Sequence, residues 1–114
     1  MARVAFPKDG NHNTIPDSTP SVVALDETYD ATISASTELT LNTSTTLIEV
    51  CAIDKAILLK WGTTDVSTTD FDEVIPQNTV RQFFIPVDST TGKIFTAVNF
   101  IEQAATAILA VIEK

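Results

Sequence analysis

Residues 45–61 read TTLIEVCAIDKAILLKW, and this stretch decides the class of fold. It contains two runs of apolar and β-branched residues, at 45–53 and 56–61, separated only by Asp54 and Lys55. Runs of this length and composition, bounded by polar residues, predict β-strands. The first run is nearly continuous, as in a strand covered on both faces, and we expect the second run to be its hairpin partner.

The sequence before this stretch also has a strand-like period of two. ATISAS at 31–36 and TELTLN at 37–42 alternate apolar and polar residues, with Ile33 and Leu39 on the apolar faces. Threonine accounts for 18 of the 114 residues, and its branched Cβ suits the pleated, half-exposed surface of a sheet. Both observations predict an all-β fold.

The C-terminal third contains three more strand candidates. TVRQFFIP at 79–86 and KIFTAVNF at 93–100 flank VDSTTG, whose residues suit a tight turn, so we expect a hairpin there. The final TAILAVIE at 106–113 follows an alanine-rich segment that also fits a helical face. We predict a strand over 106–113, with a helix as the alternative.

The spacing of these runs predicts the architecture. About seven or eight short strands, roughly ten residues apart, are typical of an antiparallel β-sandwich or jelly roll. We place this domain at 26–114 and an extended N-terminal arm at 1–25, where three of the five prolines lie. The arm is either a frayed terminus or a segment that drapes over a neighbouring subunit, anchored by Val4, Phe6 and Ile15.

The charge balance limits the classes of partner. Fifteen acidic and seven basic residues give a formal net charge of -8, which is the wrong sign for binding phosphates or an anionic bilayer. We therefore expect neither a nucleic-acid nor a membrane partner. The N-terminal MARVAFPKDG lacks the apolar stretch of a signal peptide, and no apolar run approaches the length of a membrane span, so we expect synthesis in the cytoplasm.

Residues for the common catalytic and metal sites are scarce. His12 is the only histidine and Cys51 the only cysteine, so a zinc site or a histidine-activated nucleophile has too few groups. Cys51 lies in the apolar run LIEVCAI, and we expect a small buried hydrophobe there. The three glycines are isolated and form no phosphate-binding loop. We therefore expect a protein that is not an enzyme and holds no metal or cofactor.

The Thr- and Asp-rich segment from 62 to 73 is the most distinctive loop. Its acidic residues lack the D-x-D-x-D-G spacing of a calcium loop, so a solvated connection between the two sheets is the better interpretation. Connections of this length are often contact surfaces. The candidate partner-contact residues are Trp61, Asp65, Asp70 and Phe71 in this region, together with Val4, Phe6 and Ile15 in the arm. The alternative is a carbohydrate-binding β-sandwich module, in which Trp61, Phe71 and the loop carboxylates form a sugar platform.

The pattern of residues 31–113 resembles a known group of proteins. IEVCAIDKAILLKWG, followed by a polar loop and then by IPQNTVRQFFIP, resembles the small β-sandwich structural proteins encoded in virion gene clusters of tailed bacteriophages. This sequence differs from them in having few loop glycines and an alanine-rich EQAATA before the last strand. The resemblance implies a virion component, namely a capsid decoration (cement) protein, a head-fibre base or a head-tail accessory protein.

The same resemblance implies the partners. Such proteins act as trimers or other symmetric homo-oligomers and attach to neighbouring virion proteins such as the major capsid protein. The net negative charge is consistent with a position outside the shell, away from packaged nucleic acid. We therefore expect localisation to the virion and a mechanism based on multivalent attachment.

Overall fold

The computed structural model describes residues 24–114, which form eight β-strands and no helix. The prediction of an all-β fold is therefore confirmed. Among the residues described, no helix is present that could cross a membrane. The strands are β1 (Asp26–Asp30), β2 (Thr37–Thr40), β3 (Leu47–Ile53), β4 (Ile57–Trp61), β5 (Glu73–Ile75), β6 (Thr79–Phe84), β7 (Ala97–Glu102) and β8 (Ile108–Glu113).

The strands form two four-stranded antiparallel sheets, an arrangement compatible with a β-sandwich. Sheet I has the order β1-β8-β3-β6 and sheet II the order β2-β7-β4-β5. The first strand pairs with the last, the second with the second-last, and so inward until β4 pairs with β5. Two further pairings, β3 with β8 and β4 with β7, join these pairs into sheets. The pairing is therefore nested along the chain.

The core lies between the two sheets and follows the alternation of each strand. In β3, Ile48, Val50 and Ala52 are fully buried, whereas the residues between them are partly exposed. In sheet II, Leu59 of β4 lies opposite Phe100 of β7, and neither is exposed to solvent. Burial of apolar area is the main favourable contribution to folding. The core cluster consists of Ile33, Leu41, Ile48, Val50, Ala52, Ile57, Leu59, Ile75, Val98, Phe100, Ala107, Leu109 and Val111.

Both predicted hairpins are wrong. β3 and β4 lie in different sheets, because the short connection at Asp54 and Lys55 crosses the sandwich instead of reversing within one sheet. β6 and β7 also lie in different sheets, and only an isolated bridge between Val87 and Ile94 forms in the segment that joins them. A two-layer domain buries the apolar faces of consecutive strands by placing them in opposite layers. Short connections alone therefore did not identify strand partners.

The C-terminal segment is a strand, as predicted. β8 lies between β1 and β3 and hydrogen-bonds to both, and it alternates between partly exposed and buried residues. Leu109 and Val111 enter the core, whereas the residues between them do not. A helix, the alternative kept open by the alanine content, is therefore excluded for this segment.

The segments 31–36 and 62–72 differ from their predicted structure. Residues 31–36 do not form a strand, although Ile33 is a core residue, because this segment crosses from sheet I to sheet II as a loop. The segment from 62 to 72 joins β4 to β5 within sheet II, and so the prediction of a connection between sheets is wrong. The anchors predicted for the arm, Val4, Phe6 and Ile15, lie outside the described residues.

Candidate interaction site

The outer face of sheet II is covered by the protein itself. Leu58, Ala97 and Asn99 alternate with core residues and so point outward, yet each is at most 2% exposed. The segment 62–72, which we call the 62–72 loop, lies over this face at Asn99, to which Gly62 is hydrogen-bonded directly and Val66 through Ser36. In this loop Val66 is buried, with 3% of its surface exposed, although it lies outside the strands. Val66 therefore acts as an apolar contact that holds the loop to the domain.

A chain of hydrogen bonds fixes the loop on this face. The Asn99 Nδ2 donates to the carbonyl oxygen of Gly62 at 2.9 Å, and the Ser36 hydroxyl donates to Asn99 Oδ1 at 3.1 Å. The backbone N–H of Val66 then donates to the same Ser36 oxygen at 3.0 Å. Because buried polar groups are costly without partners, this chain gives Asn99 a structural role. No sequence pattern indicated this role, because Asn99 lies within a strand.

Asp70 and Asp72 of the loop make polar contacts with β4, whereas the Asp65 side chain is exposed to solvent. Asp70 pairs with Lys60 Nζ at 2.7 Å, and Asp72 accepts a 2.8 Å hydrogen bond from the backbone N–H of Trp61. The Lys60–Asp70 pair is largely solvated at Asp70, so its net stabilisation is small. Asp65 is exposed, and the ring of Phe71 is 40% exposed. Of the four candidate contacts in this region, Asp65, Asp70 and Phe71 are exposed, although Asp70 is already paired with Lys60, whereas Trp61 is partly buried.

Trp61 packs at one end of the core. Its ring lies edge-on to Phe83, with centroids 6.0 Å apart, and roughly parallel to Phe95, with centroids 6.4 Å apart. The guanidinium of Arg81 lies 4.9 Å from the Phe83 ring and donates a 2.8 Å hydrogen bond to the carbonyl of Val74. Arg81 thereby connects β6 of sheet I to β5 of sheet II. Trp61 is half-buried in this aromatic cluster and does not project from the surface.

An open cleft of about 540 Å³ lies beside Trp61. Its walls carry hydroxyl groups, one carboxylate and one amine around two aromatic rings, a composition that suits a small polar ligand. The volume is within the range of small-molecule binding sites. The lining residues are Trp61, Gly62, Thr63, Thr64, Asp88, Thr91, Lys93, Ile94, Phe95 and Thr96.

The segment 86–95, which we call the 86–95 ribbon, exposes two apolar side chains. The isolated bridge joins Val87 to Ile94, and backbone hydrogen bonds from Asp88 N–H to the Lys93 oxygen and from Phe95 N–H to the Pro86 oxygen fix its shape. Val87 is 58% exposed and Ile94 is 51% exposed. The sequence predicted only a tight turn in this segment, and the apolar pair on either side of the turn was not among the predicted contact residues.

The outer face of sheet I also exposes apolar side chains. Tyr29, Val80 and Phe84 are 69%, 58% and 76% exposed. In the strand register, Tyr29 lies opposite Ala110, Ala110 opposite Cys51, and Cys51 opposite Val80. The expectation that Cys51 is a core residue is therefore wrong, since it lies on this outer face and is only partly buried.

One carboxylate is buried inside the sandwich. Glu113 of β8 is 1% exposed, and its Oε1 accepts hydrogen bonds from the Asn42 N–H at 2.8 Å and from the Thr45 hydroxyl at 2.9 Å. Its Oε2 has no partner among residues 24–114. This group holds the segment before β3 against the end of β8. Within the described chain, no cluster of three or more His, Cys, Asp or Glu side chains could hold a metal ion.

Comparison with known proteins gave no match: no family model, no curated protein and no solved structure is similar to this chain. Arguments about function therefore rest on the sequence and on the geometry described above.

Two glycines with positive φ provide a test of the packing around Trp61 and Phe95. Gly62 has φ 96°, and a Cβ at this position would lie 3.3 Å from the Phe95 ring, whereas Gly92 has φ 72° and open space around it. We expect Gly92→Ala to lower the free energy of unfolding by about 1 kcal/mol through backbone strain alone. Gly62→Ala should cost about 2 kcal/mol, because the Phe95 ring must also move. Urea unfolding measures both variants, and equal losses would show that the Phe95 contact contributes nothing.

Proposed function

We propose that the domain has the jelly-roll topology. A jelly roll is a long antiparallel hairpin rolled into two sheets, so the first of its eight strands pairs with the last and pairing proceeds inward. The nested pairing from β1 with β8 to β4 with β5 supports this assignment. Jelly rolls occur in viral capsid proteins, lectins and cupins. The topology alone does not distinguish a capsid protein from a lectin or a cupin, because function depends on the site and not on the fold. The surface features of this domain are therefore the basis for the choice.

We further propose that the protein is a bacteriophage virion structural protein, either a capsid decoration (cement) protein or a head-tail accessory protein. It would act without catalysis, by multivalent attachment to copies of itself and to neighbours such as the major capsid protein. The observation that carries this proposal is the 86–95 ribbon, where Val87 and Ile94 are held side by side and more than half exposed. A fixed, exposed apolar pair offers apolar area that a partner can bury.

The 62–72 loop supplies a second contact region for this function. Phe71 is partly exposed and Asp65 is solvated, while Val66 and the Asn99 hydrogen bonds hold the backbone that carries them. A loop fixed in this way loses little conformational entropy when a partner binds, which favours attachment. The net charge of -8 is consistent with a location on the outside of a particle that packages nucleic acid.

The attachment function is tested by changing the ribbon without changing the fold. We expect the double variant Val87→Asp, Ile94→Asp to keep its stability within about 0.5 kcal/mol, because both side chains are exposed. Its affinity for the oligomer or for capsids should fall by about tenfold or more, since charges would replace apolar contacts. Size exclusion with light scattering and co-sedimentation with capsids measure this loss.

The matched control is Thr90→Asp, Thr91→Asp, which adds the same charge at exposed positions of the same ribbon and removes no apolar group. It should attach nearly as well as the unmodified protein. Unchanged attachment of the Val87→Asp, Ile94→Asp variant would remove the ribbon from the mechanism. Genes for a portal, terminase or major capsid protein beside this one would support the virion assignment.

The cleft beside Trp61 favours a second candidate, a carbohydrate-binding module. Its threonine hydroxyls, Asp88 and Lys93 offer hydrogen bonds beside the Trp61 and Phe95 rings, a combination that suits a neutral sugar. Phe71, which was predicted to share this platform, is not among the residues that line the cleft. A protein that stays monomeric and whose Trp61 fluorescence shifts on addition of glycans would favour this function over attachment.

A further inference from the structure

The two sheets end in four edge strands, and one of these strands differs from the others in charge. Sheet I ends at β1 and β6, and sheet II ends at β2 and β5. β1 carries three carboxylates among its five residues, and β2 and β5 carry one each, whereas β6, the longest of the four with six residues, carries none. Charged side chains on an edge strand oppose pairing with a second copy of that strand. In a chain with a net charge of -8, β6 is therefore the edge that carries no acidic residue against such pairing.

The backbone of β6 presents hydrogen-bonding groups on its outer edge. The Ile85 N–H donates to the Thr46 oxygen at 3.1 Å, and this bond fixes which residues bond to the neighbouring strand β3. Because such bonds alternate along an antiparallel pair, the N–H and C=O groups of Val80 and Phe84 point away from β3. No strand among residues 24–114 pairs with this side of β6. The edge can thus add a strand by backbone hydrogen bonding.

The side chains along this edge are apolar on both sides of a polar residue. Val80 and Phe84 are 58% and 76% exposed on the outer face of sheet I. Gln82 lies between them and begins a polar row that crosses this face through Glu49 to Glu27. The Gln82 Nε2 donates to Glu49 Oε1 at 2.8 Å. Because this row divides the face, a strand added at its margin contacts Val80 and Phe84 without burying the two carboxylates.

We propose that β6 pairs in antiparallel orientation with β6 of a second copy of this chain, about a two-fold axis at Gln82. The two copies of sheet I would then form one continuous sheet of eight strands. The proposal deepens the proposed function, since it names a surface by which copies attach to each other, and it rests on the self-attachment part of that function.

The side chains of β6 are complementary to themselves in this arrangement. Val80 lies opposite Phe84 of the second copy on the outer face, an aliphatic–aromatic pair of the kind that stabilises neighbouring strands. Arg81 lies opposite Phe83 of the second copy on the inner face. The Arg81 guanidinium already lies 4.9 Å from the Phe83 ring of its own chain, so the pairing repeats a contact that β6 makes alone. No two like charges face each other.

The spacing of the two apolar residues selects this register. A shift of two residues in one direction places Phe84 opposite Asn78, and in the other direction it places Val80 opposite Pro86, which has no N–H. A shift of one residue brings groups that bond to β3 opposite groups of the outer edge, so the hydrogen bonds do not match. Only the register centred on Gln82 pairs both apolar residues with apolar residues.

Two variants of the full-length protein test the pairing and its direction. In Val80→Lys, Phe84→Lys, lysines face lysines across the axis, so we expect the dissociation constant of the dimer to rise by at least about tenfold. The matched control Val80→Lys, Phe84→Asp removes the same apolar groups but places a lysine opposite an aspartate. It should dimerise about tenfold more tightly than the double-lysine variant, and the difference should shrink at high salt. Light scattering over a range of protein concentrations measures both constants.

The direction of this difference is specific to antiparallel pairing. The double-lysine variant has the smaller net charge, so general repulsion between copies would favour its dimer and not that of the control. Equal constants for the two variants, a tighter double-lysine dimer, or an unmodified protein that is monomeric at all concentrations would each overturn the proposal.

Val80→Pro tests the backbone hydrogen bonds. Proline removes the N–H of residue 80, which points away from β3, so the bonds within the domain remain. We expect Val80→Pro to abolish the dimer, whereas Val80→Ala, which keeps the N–H, should retain most of it. Circular dichroism and urea unfolding at high dilution, where the subunit is monomeric, verify that both variants fold. A folded Val80→Pro variant that dimerises as tightly as Val80→Ala would overturn pairing through the backbone.

Co-sedimentation with capsids separates this proposal from the proposed function. Binding to capsids by an unmodified protein that forms no dimer would overturn the β6 pairing alone. A dimer that responds to the substitutions as expected but does not bind to capsids would support the pairing and contradict the virion function.

Discussion

The Phe100→Ala variant is expected to lose about 3–5 kcal/mol of unfolding free energy, the cost of removing a large buried aromatic side chain. Phe100 lies in β7 at the centre of sheet II, is not exposed to solvent, and is the largest of the fully buried side chains. Its neighbours across the strands are Leu59 on one side and Thr37 on the other. Because β7 is hydrogen-bonded to β2 on one side and to β4 on the other, the backbone relaxes little into the cavity that the substitution leaves.

Phe84→Ala is the matched control, since it makes the same chemical change on an outward position that is 76% exposed. We expect its effect to stay within about 0.5 kcal/mol, because the ring is already exposed to solvent. Urea or thermal unfolding followed by circular dichroism measures both variants. Similar losses for Phe84→Ala and Phe100→Ala would contradict the assignment of the inner and outer faces of the sheets.

Glu113→Ala is expected to cost about 2–4 kcal/mol, because the Asn42 N–H and the Thr45 hydroxyl would both lose their acceptor. Thr45 is itself buried, with 3% of its surface exposed, so water does not replace the lost bond easily. The connection before β3 should then loosen from the end of β8. Hydrogen exchange at the Asn42 amide would report this local effect, and denaturant unfolding would report the total loss.

Glu113→Gln separates the hydrogen bonds from the charge. Glutamine keeps the oxygen that accepts from Asn42 and Thr45 but removes a charge from a buried position, so we expect stability within about 1 kcal/mol of the unmodified protein. A loss as large as that of Glu113→Ala would mean that the ionised carboxylate, and not the two hydrogen bonds, stabilises this end of the sandwich.

Most of the strands were readable from the sequence, but β1, β5 and the strand partners were not. The nearly continuous apolar and β-branched run LIEVCAI placed β3 correctly, because the preference of such residues for strands does not depend on which strand is the partner. The partner depends on which layer each strand joins, and the short connection at Asp54 and Lys55 is compatible with a hairpin as well as with a crossing between sheets. The crossing between sheets is favoured because it lets the apolar faces of β3 and β4 pack against each other in the core.

The surface was less predictable than the core. The acidic loop was recognised from its composition, but Asp72 is used to fix the Trp61 backbone and Asp70 to pair with Lys60, which composition does not reveal. No sequence pattern marked Glu113 as buried, and its burial follows from its inward position on the same face of β8 as Leu109 and Val111. The apolar pair Val87 and Ile94 was visible in the sequence on both sides of DSTTGK, a symmetry that indicates a paired ribbon.

The position of β8 determines when the domain can fold during translation. This strand lies between β1 and β3, so without it β1 has no partner strand among residues 24–114 and sheet I is divided. A nascent chain that has not yet emerged from the ribosome through residue 113 therefore leaves the backbone N–H and C=O groups of β1 and of one edge of β3 unpaired, and unpaired strand edges make a chain prone to aggregation. Stop codons only a few positions upstream should for this reason yield insoluble product, even though they remove very little of the polypeptide.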